Sequence, residues 1–533
     1  MKSLSRLSRN LSDTLASQEI LDSFKKKYSL KESPPQITQV TFFDSFDWRL
    51  YNNNRLCFLE DNRFHLTDFT GREIVAPLPL KGYPPDFCHK LPESFLKTKL
   101  SGILEMRALL LQSTYFQTTK ELCILNKDEK TVAVIRLIEL FSDTDCPLCS
   151  VQLHEIRGYH KWFVRLRRAL EKYGDPQPCT LKHTLQTVLA VVHRSPKEYS
   201  SKLSVALEPN MNARTAAKII YRRLLTTMRQ NEQGLIADLD SEFLHDFRVA
   251  IRRTRSGLDI IKDALESEVT ERFKEDFRYL GKVTGPVRDL DVYLLMETDY
   301  KAGLPKHLQK GLDYFFADLA EKRVKEQQKL VQVLASPRYR SIVKDWRKYL
   351  ERKDASLRKK KGKSGKRPVN RTVMIGTKAK KIIRKRFERV LRDGEAIHSA
   401  SPDEALHRLR IQGKKLRYCL EFFSSLYPEK EMKHLVKQLK LLQNNLGLFN
   451  DLSVQQEMLN SYLATLKPGS GKAKKMGAAI GGLLTNLYHE QQQVRTEFEA
   501  AFMRFSSLEN IELYRSLLKS RGNGVRSEDK HVK

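Results

Sequence analysis

The chain has 533 residues, of which 40% are hydrophobic and 30% are charged, and this composition is typical of a soluble, helix-rich protein with more than one core. No run of residues approaches the ~20 consecutive apolar positions that a membrane span needs, which argues against a membrane protein. The seven cysteines are scattered and odd in number, which argues against a disulfide scaffold and favours reduced thiols in the cytoplasm.

The net charge of +32 is distributed unevenly along the chain. Residues 1–200 contain 29 lysines and arginines against 23 aspartates and glutamates, whereas residues 201–533 contain 67 against 41. The excess therefore lies in the C-terminal two thirds, where it indicates an anionic partner without identifying it.

The N-terminal part of the sequence predicts an α+β domain. Residues 1–35 are interpreted as a helical or flexible segment, with a short amphipathic helix at 18–30. From Gln39 to Ile74, short β-branched and aromatic runs alternate with Asn and Gly, which predicts antiparallel strands. The NKDEK segment between two apolar runs predicts a further hairpin. Helices are predicted at 159–172 and 181–194, and the domain is assigned to residues 36–200.

Cys146 and Cys149 form a single CxxC pair, which could supply half of a zinc site. No second pair with matching spacing exists, and Cys179 is the only other nearby thiol. We therefore predict a surface loop without a metal, and no cofactor elsewhere in the chain.

From residue 201 onward the pattern is helical, and it repeats at a constant offset. Leu244 and His245 fall on Leu406 and His407, and the register holds over roughly 80 residues. We therefore predict a tandem duplication of two helical bundles. Their assigned ranges are 201–350 and 376–510, with a linker at 351–375 that contains the basic, mobile stretch RKKKGKSGKRPVNR at 358–371. A C-terminal tail is assigned to 511–533, with disorder predicted from Arg521.

Each half carries a cationic stripe at helical spacing. The first stripe consists of His245, Arg248, Arg252 and Arg255, and its copy consists of His407, Arg410, Lys414 and Arg417. A second, shorter stripe consists of Lys218 and Arg222 in the first half and of Lys380 and Arg384 in the second. Because arginine can grip two phosphate oxygens and lysine acts as a point charge, we predict a continuous basic groove that binds a polyanion.

Other interpretations remain for these residues. A single basic helix face is usually only solvated, and a histidine near a helix start is more often a cap or a packing residue than a ligand. Asp289 and Asp451, which also share the repeat register, are interpreted as caps or ion-pair partners rather than as catalytic groups. Asp259 and Glu421 are expected to orient nearby basic groups.

The paired motifs LHxxRVxxRRxR and LHxLRxxxKKLRYxLEFF, followed by VRDLDV and LGLFNDLSV, resemble the conserved-histidine α-helical domain (CHAD) family over about residues 205–510. The resemblance implies two four-helix bundles related by pseudo-two-fold symmetry, with a basic channel that binds inorganic polyphosphate. The motif positions are His245, Arg248, Arg252, Arg253, Arg255, His407, Arg410, Lys414, Lys415 and Arg417.

Residues 36–185 resemble, less closely, the antiparallel β domain of CYTH proteins, which are triphosphate tunnel metalloenzymes. The segments that carry this resemblance are TFFDSFDWRLY, KTVAVIRLIEL and LHEIRGY. The family's catalytic Glu-x-Glu-x-Lys signature is absent before Phe42, so nothing evident would hold Mg²⁺ against a triphosphate. We therefore predict a degenerate, catalytically silent CYTH-like domain.

The leading hypothesis is a non-catalytic polyphosphate-binding protein of the cytoplasm, associated with polyphosphate granules and not with a membrane. One alternative is a CYTH-type triphosphatase to which the basic domain delivers substrate. Another is a nucleic-acid binder, against which the basic helices lack the interleaved aromatic residues that stack on bases.

Overall fold

The structure is a computed structural model that describes residues 6–11, 14–142, 145–173, 180–352, 373–467 and 469–519. The chain divides into two compact units, residues 1–201 and residues 202–533. Among the described residues, no helix combines the length and the apolar character that crossing a membrane requires. The basic stretch at 358–371, Cys179, the tail from Arg521 and the side chain of Cys146 lie outside the described residues.

The first unit is built on an antiparallel sheet, as predicted. Its described strands are β1 (Arg6–Leu11), β2 (Leu30–Glu32), β3 (Gln36–Asp44), β4 (Arg55–Glu60), β5 (Arg63–Asp68), β6 (Leu78–Pro79), β7 (Leu110–Leu125), β8 (Thr131–Ser142) and β9 (Asp145–Glu155). Its helices are α1 (Thr14–Lys27), α2 (Arg49–Asn52), α3 (Phe95–Leu104), α4 (His160–Leu170) and α5 (Leu181–Val191).

The strands follow the order β1-β9-β8-β7-β3-β4-β5-β6, and β2 pairs separately with β7. The predicted NKDEK hairpin joins β7 to β8, where the Asn126 side chain accepts hydrogen bonds from the backbone N–H groups of Asp128 and Lys130. Asp61 and Asn62 join β4 to β5 with φ angles of 47° and 59°, which two-residue hairpin turns require.

Residues 6–11 differ from the prediction of a helical or flexible N-terminal segment, because they pair with β9 at the edge of the sheet. The reason is the alternation in RLSRNL, which places Leu7 and Leu11 on one face of the strand. Both leucines pack into a core that the sheet forms with α1 and α4. The opposite face of the sheet packs against α5 through Leu185, Val188 and Leu189.

The second unit is helical in its described part. The helices of its first half are α6 (Ala213–Ile236), α7 (Ser241–Ile260), α8 (Ser267–Val283), α9 (Gly285–Leu295), α10 (Glu297–Ala302), α11 (Lys306–Ala335) and α12 (Pro337–Glu351). Those of its second half are α13 (Ile375–Glu395), α14 (Asp403–Phe422), α15 (Glu429–Ala464), α16 (Gly471–Thr496), α17 (Phe498–Phe505) and α18 (Leu508–Leu518).

The predicted duplication is present in the helices themselves. At the offset that carries His245 onto His407, α14 begins and ends where α7 does, and α13 and α15 begin where α6 and α8 do. The copies differ at one point. In the first half α8 ends at Val283 and α9 begins at Gly285, which Pro286 follows. In the second half α15 continues through the equivalent position. Pro286 lacks the backbone N–H that a continuous helix needs, so the first copy breaks into two helices.

Helices α7 and α14, one from each half, pack against each other. A Cβ atom at Gly257 would lie 2.8 Å from the Tyr221 ring of α6 and 3.4 Å from the Phe422 ring of α14. The missing side chain at Gly257 therefore allows α7 to approach both neighbours closely.

Candidate functional site

The two predicted cationic stripes lie on the pair of helices α7 and α14. Each helix buries an apolar face, which on α7 includes Phe243, Phe247 and Ile251. The stripe residues occupy the neighbouring face, where each of them is half-buried rather than fully solvated: His245, Arg248, Arg252, Arg255, His407, Arg410, Lys414 and Arg417. Half-burial makes their charges interact more strongly than charges on an open helix face.

In the first half, Arg248 is held at the break between α8 and α9. Its Nη1 donates to the Gly281 carbonyl at 3.0 Å and to the Thr284 hydroxyl at 2.8 Å. Burial lowers the pKa of Arg248, the Asp289 carboxylate opposes that shift, and Arg252, Arg288 and Arg255 add to it. The guanidinium thus has neutral hydrogen-bond partners but sits among other cations.

In the second half, the equivalent Arg410 donates from Nη2 to Asp451 Oδ1 at 3.2 Å. Its Nε is buried and has no hydrogen-bond acceptor among the described residues. Burial lowers the pKa of Arg410, Asp451 opposes the shift, and Arg252 from the other half reinforces it. Arg410 therefore retains unused donor capacity.

The two stripes converge into one group of charges. Arg252 of α7 donates from Nε to the Tyr418 hydroxyl of α14 at 2.8 Å, which brings it beside the second stripe. Burial, followed by the charges of Arg410 and Arg252, lowers the pKa of Lys414 to about 8. We call this group the axial cluster, and it consists of Arg248, Arg252, Arg255, Arg410, Lys414 and Arg417.

Arg253 and Lys415, which the family motif also includes, interact with acidic residues of the opposite half. Arg253 donates to Glu421 Oε2 at 3.2 Å and 2.9 Å, and Glu421 also pairs with Arg417 at 3.2 Å. At the equivalent place, Asp259 opposes the lowering of the pKa of Lys415 by burial and by Arg386. Asp259 itself pairs with Lys274 at 2.8 Å, so its interaction with Lys415 is one of charge. The exchange of positions between the Arg253–Glu421 and Lys415–Asp259 pairs is what a two-fold relation produces.

The second predicted stripe has a different environment. Lys218 donates to the Arg352 carbonyl at 2.6 Å, just beyond α12, and Arg222 donates to the Leu350 carbonyl in the last turn of that helix. In the second half, Lys380 donates to the Lys519 carbonyl at 3.2 Å, and Arg384 donates to the Leu518 carbonyl at 3.0 Å. All four cations thus contact the C-terminal ends of α12 and α18, where a cation stabilises the exposed carbonyl groups.

The repeated histidines lie near the N-terminal ends of the two stripes. The His407 Nδ1 lies 3.0 Å from Asn450 Oδ1, and its ring centroid lies 5.7 Å from that of Phe449. His245 occupies the equivalent position on α7 and is half-buried. The Asn450 contact fixes the orientation of the His407 ring at one end of the second stripe.

The prediction from sequence missed Arg288, Thr284 and Tyr418. Arg288 adds a charge beside Arg248, Thr284 holds Arg248, and Tyr418 holds Arg252. At the repeat offset, these residues are replaced by Asn450, Leu446 and Ser256. Because their chemistry is not repeated, the comparison of the two copies does not indicate them. Arg288 nevertheless lies in the same VRDLDV segment as Asp289.

The face of the first unit's sheet that packs on α5 also contains a cavity of about 510 Å³. Hydroxyl, amide and apolar side chains form most of its lining, and its charged residues are Glu60 and Arg136. The Arg136 Nε is paired with Glu121 at 2.5 Å, and burial raises the pKa of Glu60. The first strand of the sheet, RLSRNL, brings no carboxylate to this cavity.

No group of three or more His, Cys, Asp or Glu side chains in the described ranges is arranged to hold a metal ion. Within the CxxC pair, Cys149 is present as a thiol and is buried in the core between the sheet and helices α1 and α4. The CxxC segment begins the strand β9 and is not the surface loop that the sequence predicts, since Leu148 and Cys149 alternate between the two packed faces.

The comparisons with known proteins agree with the helical unit. A sequence model described as the CHAD domain matches residues 219–460. No curated protein matches the chain significantly.

Solved structures similar to this chain include a CHAD domain from the plant Ricinus communis, with 23% identity, a TM-score of 0.47, and coverage of 58% of this chain and 98% of that one. PptA from Streptomyces chartreusis has 16% identity and a TM-score of 0.42 over 55% and 99% of the two chains. A proposed adenylyl cyclase from Hippeastrum, described as having a dominant triphosphatase activity, has 10% identity and a TM-score of 0.26 over 37% and 100%.

Proposed function

We propose that the helical unit, whose residues 219–460 match the CHAD domain model, binds inorganic polyphosphate through its axial cluster. The observation that carries this proposal is the position of Arg252, which belongs to α7 but acts on Arg410 and Lys414 of α14. Cations that repel one another at close range are stabilised by an anion that contacts several of them at once. A chain of phosphates supplies such an anion.

The composition of the axial cluster favours phosphate over other anions. Five of its six members are arginines, whose planar donor sets match phosphate oxygens, and its lysine adds a compact charge. The carboxylates of Asp289, Asp451 and Glu421 interact with cations of the cluster. These three negative charges are fewer than its six cations, so positive charge remains in excess. Polyphosphate binding would release counter-ions and weaken as salt concentration rises.

The partners of the remaining predicted cations reduce the number of residues that we assign to the ligand-binding surface. We place Arg253 and Lys415 at the junction of the halves, and Lys218, Arg222, Lys380 and Arg384 at the helix ends, outside the ligand-binding surface. Arg253 pairs with Glu421, Lys415 interacts with Asp259 through charge, and the four helix-end cations donate to backbone carbonyl groups. We include His245 and His407 as additional donors at the two ends of the stripes.

A charge reversal in each half tests the assignment. We expect Arg248→Glu combined with Arg410→Glu to weaken the binding of long-chain polyphosphate by about 100-fold, because each change replaces a phosphate donor with a repelling charge. The matched control is Lys344→Glu combined with Lys385→Glu, since both lysines are exposed and one lies in each half. Equal affinities of the two folded variants, measured by calorimetric titration at two salt concentrations, would refute the site.

We further propose that the first unit does not hydrolyse triphosphates. Its cavity is lined mainly by neutral side chains, and α5 fills the adjoining part of the same sheet face with apolar residues. A triphosphate in this place would meet Arg136, which Glu121 already neutralises. Phosphate release from ATP and tripolyphosphate, assayed with Mg²⁺ and with Mn²⁺, is expected to match a protein-free control; metal-dependent release above it would establish the alternative, a triphosphatase.

Nucleic acid is the weaker candidate for the axial cluster. Tyr418, the aromatic residue that contacts Arg252, is buried and therefore offers no open ring for base stacking. Competition by single-stranded DNA at equal phosphate concentration is expected to displace little polyphosphate.

We place the protein in the cytoplasm on polyphosphate granules. Support comes from the thiols of Cys57, Cys88 and Cys419, which are free and buried, as a reducing compartment allows. Fluorescence microscopy of the tagged chain should show polyphosphate-dependent foci, and diffuse signal in cells rich in polyphosphate would argue against this location.

A further inference from the structure

Each half of the helical unit places one aspartate against its first axial arginine. Asp451 accepts from Arg410 at 3.2 Å and from the Asn450 amide at 3.3 Å. Asp289, at the equivalent position of the first half, acts on Arg248 through its charge, while the Arg248 guanidinium donates to Gly281 and Thr284. The pair is therefore part of the repeated architecture and not a feature of one copy.

We infer that Asp289 and Asp451 are internal counter-ions that polyphosphate must displace, and that they keep the axial cluster closed to small phosphates. This inference rests on the proposed function. Without ligand, the two carboxylates neutralise part of the charge of Arg248 and Arg410. A bound phosphate brings negative charge to the same guanidinium groups and so meets repulsion from both aspartates.

The local contacts favour competition over a positioning role for these carboxylates. Arg248 is already held by the Gly281 carbonyl and the Thr284 hydroxyl, so it does not need Asp289 to keep its place. The side chain of Asp451 is 61% exposed, whereas that of Arg410 is 19% exposed, so the carboxylate lies on the more solvent-accessible side of the ion pair. That is also the side from which a ligand would approach.

The carboxylate of Asp289 is only weakly stabilised by its surroundings. Burial raises its pKa, and the charges of Arg248 and Arg288 oppose this shift without cancelling it. The attraction between Asp289 and its arginines thus only partly offsets the loss of hydration. A counter-ion that is weakly held can be displaced by a ligand that brings several charges.

The consequence for selectivity follows from the number of contacts. The repulsion by the two aspartates lowers the affinity of every phosphate that reaches both arginines. A ligand with few phosphates, such as pyrophosphate, gains little elsewhere in the cluster and falls below measurable affinity. A long chain also contacts Arg252, Lys414 and the remaining cations, so its total binding energy outweighs the same penalty.

The test replaces both carboxylates by neutral groups of the same shape. We expect Asp289→Asn combined with Asp451→Asn to bind long-chain polyphosphate about tenfold more tightly than the native chain, and to make pyrophosphate binding measurable. The salt dependence should also become steeper. In the native chain a displaced carboxylate takes up a cation from solution and so reduces net ion release, which the variant cannot do.

A matched control separates this effect from a general change of charge. Asp345 pairs with Arg272 in the first half, and Asp393 pairs with Arg392 in the second, both outside the axial cluster. Asp345→Asn combined with Asp393→Asn changes the net charge equally but should leave the salt dependence unchanged and alter affinity by less than about threefold.

Whether the double variant binds polyphosphate more tightly or less tightly than the control decides between the two roles of the aspartates. If Asp289 and Asp451 only position the arginines, the double variant will bind polyphosphate no better than the control, or less well, and the inference is overturned. Failure of the native chain to bind long-chain polyphosphate overturns the proposed function, and this inference with it. Thermal unfolding of each variant shows that the compared proteins are folded.

Discussion

Lys414 carries its charge in a place that disfavours it. Folding lowers its pKa from 10.5 to about 8, because the side chain is half-buried and lies beside Arg410 and Arg252. Below pH 8 the lysine is protonated in both the folded and the unfolded chain. The charged side chain then lowers the free energy of unfolding by its full amount. Between about pH 8 and pH 10.5 the unfolded chain binds more protons, so the free energy of unfolding rises with pH.

We predict that Lys414→Gln raises the free energy of unfolding by about 1–2 kcal/mol at pH 7, a value reduced to allow for solvent screening of a partly exposed group. The gain should shrink toward pH 10, where the native lysine has lost its charge. Urea denaturation at both pH values measures this difference, with the exposed Lys385→Gln as the control. A lower stability of Lys414→Gln at pH 7 would contradict the prediction.

For single residues, the sequence predicted the positions of the cations but not their hydrogen-bond partners. The repeat offset predicts Arg252 and Lys414, because each is a cation at an equivalent place on its helix. It does not predict that Arg252 reaches Tyr418 on the other copy. Contacts between copies depend on how the helices pack, and a pattern along one helix carries no information about that.

At the scale of the elements, Gly257 sets how closely α7 approaches its neighbours. An added methyl group there would lie 2.8 Å from the Tyr221 ring and 3.4 Å from the Phe422 ring. We predict that Gly257→Ala lowers the free energy of unfolding by about 1–3 kcal/mol, because both rings are buried and cannot move freely.

Gly447 in α15 provides the control for this substitution. A Cβ atom there meets nothing within 4 Å, so Gly447→Ala should stabilise the helix by about 0.5–1 kcal/mol through helix propensity. Chemical denaturation of both variants measures the contrast. A Gly257→Ala variant as stable as Gly447→Ala would show that the packing at the α7–α14 junction has room to spare.

The equivalence of the two helical copies was predictable from the repeat offset, and the contacts of their cations were not. The constant offset gives the match between α7 and α14 correctly. Lys218 and Arg222 have the helical spacing of a cationic stripe, and their side chains donate to carbonyl groups at the C-terminal end of α12. Helical spacing shows which side chains share a face but does not show which helix end that face meets.

At the scale of the whole molecule, the axial cluster makes the two halves interdependent. We predict that neutralising the cations of either half, by Arg248→Gln, Arg252→Gln and Arg255→Gln or by Arg410→Gln, Lys414→Gln and Arg417→Gln, weakens polyphosphate binding by a similar, large factor. Each triple variant should also reduce the slope of the logarithm of affinity against the logarithm of salt concentration by about 2, from ~0.7 for each lost phosphate contact.

A chain that kept native affinity after losing one set of three cations would show that a single half suffices. Titration of both triple variants beside the native protein distinguishes these outcomes. The control is a triple change of exposed cations on α13, Lys381→Gln, Lys385→Gln and Arg389→Gln, which preserves the cluster and should have a smaller effect.

The first unit shows where prediction from sequence reaches its limit for a whole domain. The strands from Gln36 to Asp68 and the β7–β8 hairpin follow from local pattern and turn residues. The pairing of Arg6–Leu11 with β9 joins segments that are far apart in the chain, and the packing of α5 on the sheet face is equally remote. The local sequence of each segment indicates a strand or a helix but does not indicate the part of the sheet with which that segment packs.

The pseudo-two-fold relation between α7 and α14 has a consequence for the orientation of a bound linear ligand. A linear polyphosphate reads the same from either end, whereas a nucleic-acid strand has a 5′ and a 3′ end. A pseudo-two-fold site therefore presents nearly the same donors to a polyphosphate threaded either way, and both orientations are productive. A nucleic-acid strand would fit one half correctly and meet the other in reverse, so under the proposed function we expect the duplicated site to favour a ligand without direction.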